Sequence, residues 1–193
     1  MRTSKEKIQV VILCVVGIAV LCLSAFGSKA APLQVPTNPG TTGLVSWWNL
    51  DEPNGTRSDA YGSNNLTDNN TVGYTTGKKD SAARFVAANS EYLSIADPFV
   101  FGNFTIGGWV SFVSHHATND IIISKHNTTT NNRELLIMYE PGSGLSCRAS
   151  SNGTTVVSVY NSATMNTGTW YFIVCKYDGT NITISVNDGT ETS

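Results

Sequence analysis

A chain of 193 residues has room for one domain of ordinary size, with a core large enough to be stable without crosslinks. Charged residues make up only 13%, about half the usual share, and polarity comes instead from Asn, Thr, Ser and Gly. Beyond the first 30 residues stand 8 basic and 13 acidic side chains, a formal charge of −5. No cationic cluster exceeds the Lys78–Lys79 pair, so the electrostatic footprint of a nucleic-acid-binding protein is missing.

The N-terminus reads as a targeting segment. Arg2, Lys5 and Lys7 form a positive region, and residues 10–26 are apolar apart from Ser24. Ser28 and Ala30 then place small residues at −3 and −1 of a cleavage site. Residues 1–30 are therefore predicted to be a hydrophobic signal helix. An apolar run of 17 residues also reaches the lower limit of a membrane span, which keeps an uncleaved signal anchor open as the alternative and as the sole membrane contact. Neither Cys14 nor Cys22 is preceded by the small residues of a lipoprotein signal. By either route the following domain is exported.

Residues 31–42 form a Pro/Thr/Gly-rich linker without periodicity. From residue 43 to 193, short alternating or β-branched runs recur between turn signals. In the first, Leu44, Ser46, Trp48 and Leu50 share a largely apolar face. Strands are predicted at residues 83–86, 92–95, 104–112, 121–124, 134–139, 144–148, 156–160, 170–176 and 182–186. Phe104, Ile106, Val110 and Phe112 share one face, while Ile182, Ile184 and Val186 alternate with Asn181, Thr183 and Ser185. The Asn/Thr-rich residues 64–76 and 127–132 are expected to be surface loops. No stretch sustains helical periodicity, so the expected architecture is all-β, an antiparallel two-sheet β-sandwich or jelly roll.

Several of these runs carry a resemblance. Gly43-Leu44-Val45, Trp48, Leu50-Asp51-Glu52, Gly55-Thr56, Asp59, Gly62 and Asn64-Asn65 fit the opening pattern of laminin-G-like domains of the concanavalin A-like jelly-roll family. Ala83-Arg84-Phe85 with Glu91 to Ile95, then Phe104-Thr105-Ile106 with Trp109, fit the next motifs. Trp170, Tyr177-Asp178-Gly179 and the Val186-Asn187-Asp188-Gly189 turn fit the late hairpin. The resemblance spans residues 43–189 and implies a binding or adhesion module. Such domains usually continue for further strands past that turn, so the chain is read as C-terminally truncated, with sheet edges left unpaired.

Trp48, Trp109 and Trp170 each lie within a strand motif and are expected in the core, whereas Trp47 faces the other way from Trp48. Cys147 and Cys175 either pair across neighbouring strands in an oxidising compartment or serve as two buried small hydrophobes. Among oxygen donors, Asp59, Asp68, Asn64, Asn65, Asn69 and Asn70 make a loop suited to Ca²⁺. The resemblance points to Asp59, with Asn64 beside it. The plainer reading is an Asx-turn in which Asp59 bonds its own backbone.

The retaining glucanases that share this fold place acid and nucleophile about 5 Å apart from a Glu-x-Asp-x-x-Glu strand, and no such run exists here. His115, His116 and His126 lack partners at zinc spacing, and no Ser/His/Asp arrangement is identifiable. Seven Asn-x-Ser/Thr sequons, at Asn54, Asn65, Asn69, Asn103, Asn127, Asn152 and Asn181, matter only in a glycosylating secretory pathway. The expected role is an exported, non-catalytic module that binds a glycan or an extracellular protein surface through loops at the sandwich rim. A structural spacer of a larger surface or virion protein is the alternative, and a glycoside hydrolase remnant is the third reading.

Overall fold

The structure is a computed structural model that describes residues 9–10, 43–96, 102–127, 132–150, 152–187 and 192. Its strands are β1 (Gln9–Val10), β2 (Thr67–Asn69), β3 (Gly73–Thr76), β4 (Ser81–Arg84), β5 (Tyr92–Ser94) and β6 (Phe104–Ser111). They continue with β7 (Asp120–Asn127), β8 (Asn132–Glu140), β9 (Gly144–Ala149), β10 (Val157–Asn161), β11 (Trp170–Tyr177) and β12 (Ile182–Val186). The one helical turn among the described residues is a 3-10 turn at Ala87–Asn89.

The ladders are antiparallel. One sheet runs β1-β7-β8-β9-β10, a second β12-β11-β6, and two ribbons pair β2 with β5 and β3 with β4. Inward residues of the two larger sheets interlock in one core. It holds Leu135, Ile137 and Tyr139 of β8, Leu145 and Cys147 of β9, Tyr171, Ile173 and Cys175 of β11, and Ile182, Ile184 and Val186 of β12. This is a β-sandwich, assembled because period-2 alternation gives each sheet one apolar face that only another sheet can cover. A smaller core of Trp48, Leu50, Leu66, Val72 and Leu93 lies under the N-terminal ribbons.

Several expectations need correction. Residues 43–50 do not form a ladder strand: Trp48 makes only an isolated bridge to Asp59, and Leu50 turns the chain with a φ of 61°. The expected loop at 64–76 instead contains β2 and β3, held by the fully buried Leu66 and Val72. Most of the expected loop at 127–132 lies outside the described residues, as does the signal segment apart from Gln9–Val10, which pair with Ser124 and Ile123 of β7. The linker 31–42 also lies outside them.

The tryptophans divide. Trp48 is buried at 3% exposure, but Trp109 and Trp170 are half-buried on the outward face of the three-stranded sheet. Alternation requires this, because Val110 and Tyr171 beside them point inward and pair with each other across the ladder. Cys147 and Cys175 are joined in a disulfide with Cα atoms 6.3 Å apart. They stand on facing strands of opposite sheets, β9 and β11, rather than on neighbouring strands, so the bond is a cross-sandwich tie within the core.

Candidate functional site

The oxygen-rich loop predicted as a cation site is built around Asp59, which is only 8% exposed. Its Oδ1 accepts the backbone N–H groups of Trp47 (2.9 Å), Tyr61 (3.0 Å) and Gly62 (2.9 Å), and its Oδ2 accepts that of Asn64 (3.1 Å). The Asp59 N–H donates to Asn65 Oδ1 at 2.9 Å. Asn64 Nδ2 donates to Ser46 Oγ at 2.7 Å, and the Trp48 indole N–H donates to the Asn64 carbonyl at 2.7 Å. The tight turn needs Gly62, because a Cβ there would lie 2.8 Å from Asp59 Oδ2 and 3.0 Å from the Val45 carbonyl.

Burial alone would raise the Asp59 carboxyl. Hydrogen bonds from the Trp47, Gly62 and Tyr61 backbones and from the Ser46 side chain outweigh it, and hold the pKa at about 2. A carboxylate turned onto four N–H donors has its lone pairs directed at positive partial charge. The carbonyl of Asn64 is likewise taken by the indole. Calcium needs six to eight converging oxygens, and Asp59 and Asn64 as arranged do not fit that ion. The charge instead pins residues 46–48 against residues 61–65, which is the Asx-turn reading on a larger scale.

Depression of the folded-state pKa from 3.8 to about 2 makes ionised Asp59 worth on the order of 2 kcal/mol to the folded state. This stability is present above the unfolded value and drains away as pH falls through 3.8 towards 2. Urea unfolding at a series of pH values is therefore expected to show Asp59→Asn destabilised by roughly this amount at pH 7, with the difference from wild type vanishing near pH 2. A constant difference across that range would refute the assignment.

What this frame presents is aromatic. Tyr61 is 48% exposed and Val45 58% exposed, while the half-buried Trp47 directs its indole N–H to Asn49 Oδ1 at 2.8 Å. The Tyr61 and Trp47 backbones are both fixed by the same Asp59 oxygen, so the two aromatics share one rigid mount. In the sequence Trp47 is set apart only by facing the other way from Trp48, and an exposed tyrosine such as Tyr61 has no local signature. Arg57 is fully buried, and Asp68 lies beside its partners. Arg57 donates to the carbonyls of Gly55, Val72 and Gly73, while Asp68 accepts the N–H groups of Gly55 and Val72.

Several other acidic and histidine side chains among the described residues are engaged structurally. Glu52 Oε1 accepts the Ser58 N–H at 2.8 Å and Asp51 Oδ1 the Ser81 N–H at 3.2 Å. Glu134 meets the buried Lys125 at 2.6 Å, and Glu140 meets Arg148 at 2.8 Å. Glu134 and Glu140 are six residues apart on β8, or roughly 20 Å at the rise of a strand, far beyond the spacing that glycoside hydrolysis requires. His115 lies 2.8 Å from Asp120 Oδ2 and 2.6 Å from the Met165 carbonyl, closing a loop onto the core. His126 has its pKa lowered by burial and by the positive charges of Arg133 and Arg148. No three His, Cys, Asp or Glu side chains converge as a metal-ligand set among the described residues.

The family profile Laminin_G_3, of the concanavalin A-like lectin/glucanases superfamily, matches residues 86–193. This span runs from the 3-10 turn through β12 and covers more than half the chain; the Asp59 loop precedes it. Neither the curated proteins nor the solved structures hold a significant match. Domains of this kind commonly mediate binding, are typically non-catalytic and are usually extracellular. By that match and by its two facing antiparallel sheets, the chain belongs to the concanavalin A-like lectin/glucanases superfamily as a laminin-G-like domain.

Proposed function

We propose that the chain is an exported, non-catalytic binding module that recognises a glycan or another extracellular surface through the rim loop carrying Tyr61 and Trp47. The observation behind this reading is the exposed ring of Tyr61, held on a loop whose buried carboxylate accepts four backbone N–H groups. An aromatic ring costs little side-chain entropy to immobilise and can stack on the C–H face of a sugar or pack against a protein surface. A rim meant only as a spacer has no use for an aromatic pair fixed by one carboxylate.

Glycan-array binding of the full chain, with and without EDTA, tests the proposal alongside Tyr61→Ala and Trp47→Ala. Wild type is expected to bind at least one class of glycan equally with and without chelator. Tyr61→Ala should weaken binding about tenfold, equivalent to about 1.4 kcal/mol, without lowering the melting temperature. If wild type binds no glycan and no extracellular protein, the spacer reading replaces this one. Binding that disappears with EDTA would return the Asp59 loop to the candidates for a calcium site.

A further inference from the structure

We infer that His115 is held as an imidazolium, and that it forms a pH-sensitive latch between two connections that cross from one sheet to the other. Both of its ring nitrogens face acceptors. Nδ1 lies 2.8 Å from Asp120 Oδ2, and Nε2 lies 2.6 Å from the main-chain carbonyl oxygen of Met165. A carbonyl oxygen cannot donate, and the second oxygen of Asp120 already accepts the His116 N–H at 2.9 Å. A neutral imidazole carries a single N–H, so either tautomer would turn a ring lone pair onto an oxygen lone pair. Only the doubly protonated ring satisfies both contacts.

The surroundings favour that charge. The ring centre lies 4.9 Å from that of Phe112 and 4.6 Å from that of Tyr139, and aromatic faces attract a cation at such distances. The titratable groups facing the ring are Asp120 at the start of β7 and Tyr139 of β8. Phe112, just beyond β6, and the Met165 carbonyl bring no charge. His116, the next residue, is exposed, and its Nδ1 accepts the Thr118 N–H at 3.3 Å, so a neutral ring suits it. The neighbouring histidine is thus an internal control.

The position of the latch gives it leverage. Residues 112–119 lead from β6 of the three-stranded sheet to β7 of the five-stranded one, and residues 162–169 lead back from β10 to β11. His115 bonds the first connection to the second. Met165, only 1% exposed, belongs to the main core together with Phe112, Tyr139 and Tyr171. The Gly168 N–H also donates to the Phe112 carbonyl, and the Asn166 N–H to the Tyr171 hydroxyl, both at 2.8 Å, but neither bond depends on a histidine proton. Loss of one ring proton strands an acceptor and removes the charge from between the two rings. The latch is therefore closed in acid and released as pH rises, which exposes Met165 while the ladders persist. His126 works in the opposite sense: its pKa is lowered, so its protonation in acid costs stability, and melting curves of wild type alone would blend the two.

Two readouts on the full chain separate them. Nitrogen-15 NMR of histidine-labelled protein reports which ring nitrogens carry protons, and hydrogen peroxide oxidises an exposed Met165 sulfur to the sulfoxide, followed by mass spectrometry. His115 is expected to carry two ring protons at about pH 5.5 and one at about pH 8.5. Over the same interval Met165 oxidation should quicken at least about tenfold, as loss of a charge-assisted hydrogen bond implies. Met138, 3% exposed on the other face of β8 from Tyr139, is the reference and should not respond. His115→Gln offers one nitrogen to two acceptors, so its Met165 should oxidise quickly at both pH values. Asp120→Asn removes the opposite charge and should move release to lower pH. His116→Gln should keep the wild-type response. A singly protonated His115 in acid, or a Met165 rate indifferent to pH, would overturn the inference without any variant. So would His115→Gln behaving as wild type, an unmoved release in Asp120→Asn, or a response lost in His116→Gln.

Discussion

Replacing Arg57 with methionine is expected to destabilise the domain by about 3–5 kcal/mol and to lower its melting temperature by on the order of 10 °C. Methionine keeps most of the apolar stem, so the loss isolates the guanidinium. Arg57 is fully buried and spans three carbonyl oxygens, those of Gly55, Val72 and Gly73, with its Nη2 at 2.8 Å from Val72. Asp68 grips two of the same residues from the other side, taking the N–H of Gly55 at 2.9 Å and that of Val72 at 2.8 Å. Removing the cation leaves buried carbonyl acceptors without donors and loosens the turn that the half-buried Asp68 holds from the other side. Lysine should not rescue the site, because one ammonium cannot reproduce a planar fork that reaches three carbonyls. Thermal unfolding of Arg57→Met, Arg57→Lys and Asp68→Asn, singly and combined, measures this. Strict additivity of the Arg57 and Asp68 changes would show that they do not act as one clamp.

The second large effect belongs to the cross-sandwich disulfide. Cys147→Ala/Cys175→Ala is expected to cost about 3.5 kcal/mol, the chain-entropy value for a closed loop of roughly this length. The two cysteines are separated by 28 residues, and both side chains are essentially inaccessible. The bond therefore restrains the unfolded chain while filling the centre of the folded one. Reduction should be slow in the native state and fast once denaturant exposes the sulfurs, as read by alkylation and intact mass. Rapid reduction of the native protein, or a double alanine variant as stable as wild type, would exclude this role.

The strands were legible wherever a buried face imposed alternation. The late ones, from Phe104 to Val186, fall within a few residues of their expected bounds, because each is long and one-sided. The N-terminal third misled for a physical reason. Leu44, Trp48 and Leu50 alternate as a strand would, yet the left-handed turn at Leu50 and the hydrogen bonds drawn to Asp59 break the ladder there. Conversely, Asn- and Thr-rich residues around β2 and β3 look like a loop, although the buried Leu66 and Val72 fasten them to the small core.

For the tryptophans the sequence contained its own correction. Placing Phe104, Ile106 and Val110 on the inner face forces Trp109 outward, and placing Tyr171, Ile173 and Cys175 there does the same for Trp170. Large aromatic residues in strands favour a core assignment by bulk hydrophobicity, but the pleat fixes their side by parity.

The sequence by itself determined the kind of fold, because period-2 patterning, Gly-bearing turns and apolar bulk act between near neighbours. It also supplied the two cysteines and the aspartate on which later structure was built. Only the tertiary structure decided what they do. Cys147 meets Cys175 because two sheets stack face to face, and Asp59 becomes a backbone anchor because four N–H groups from two segments converge on it. Which aromatics face outward as a pair, and which cation stands over them, depends on contacts between residues as distant as Lys78, Trp109 and Phe172. Such contacts arise when strands far apart in the chain become neighbours, and no local pattern records that.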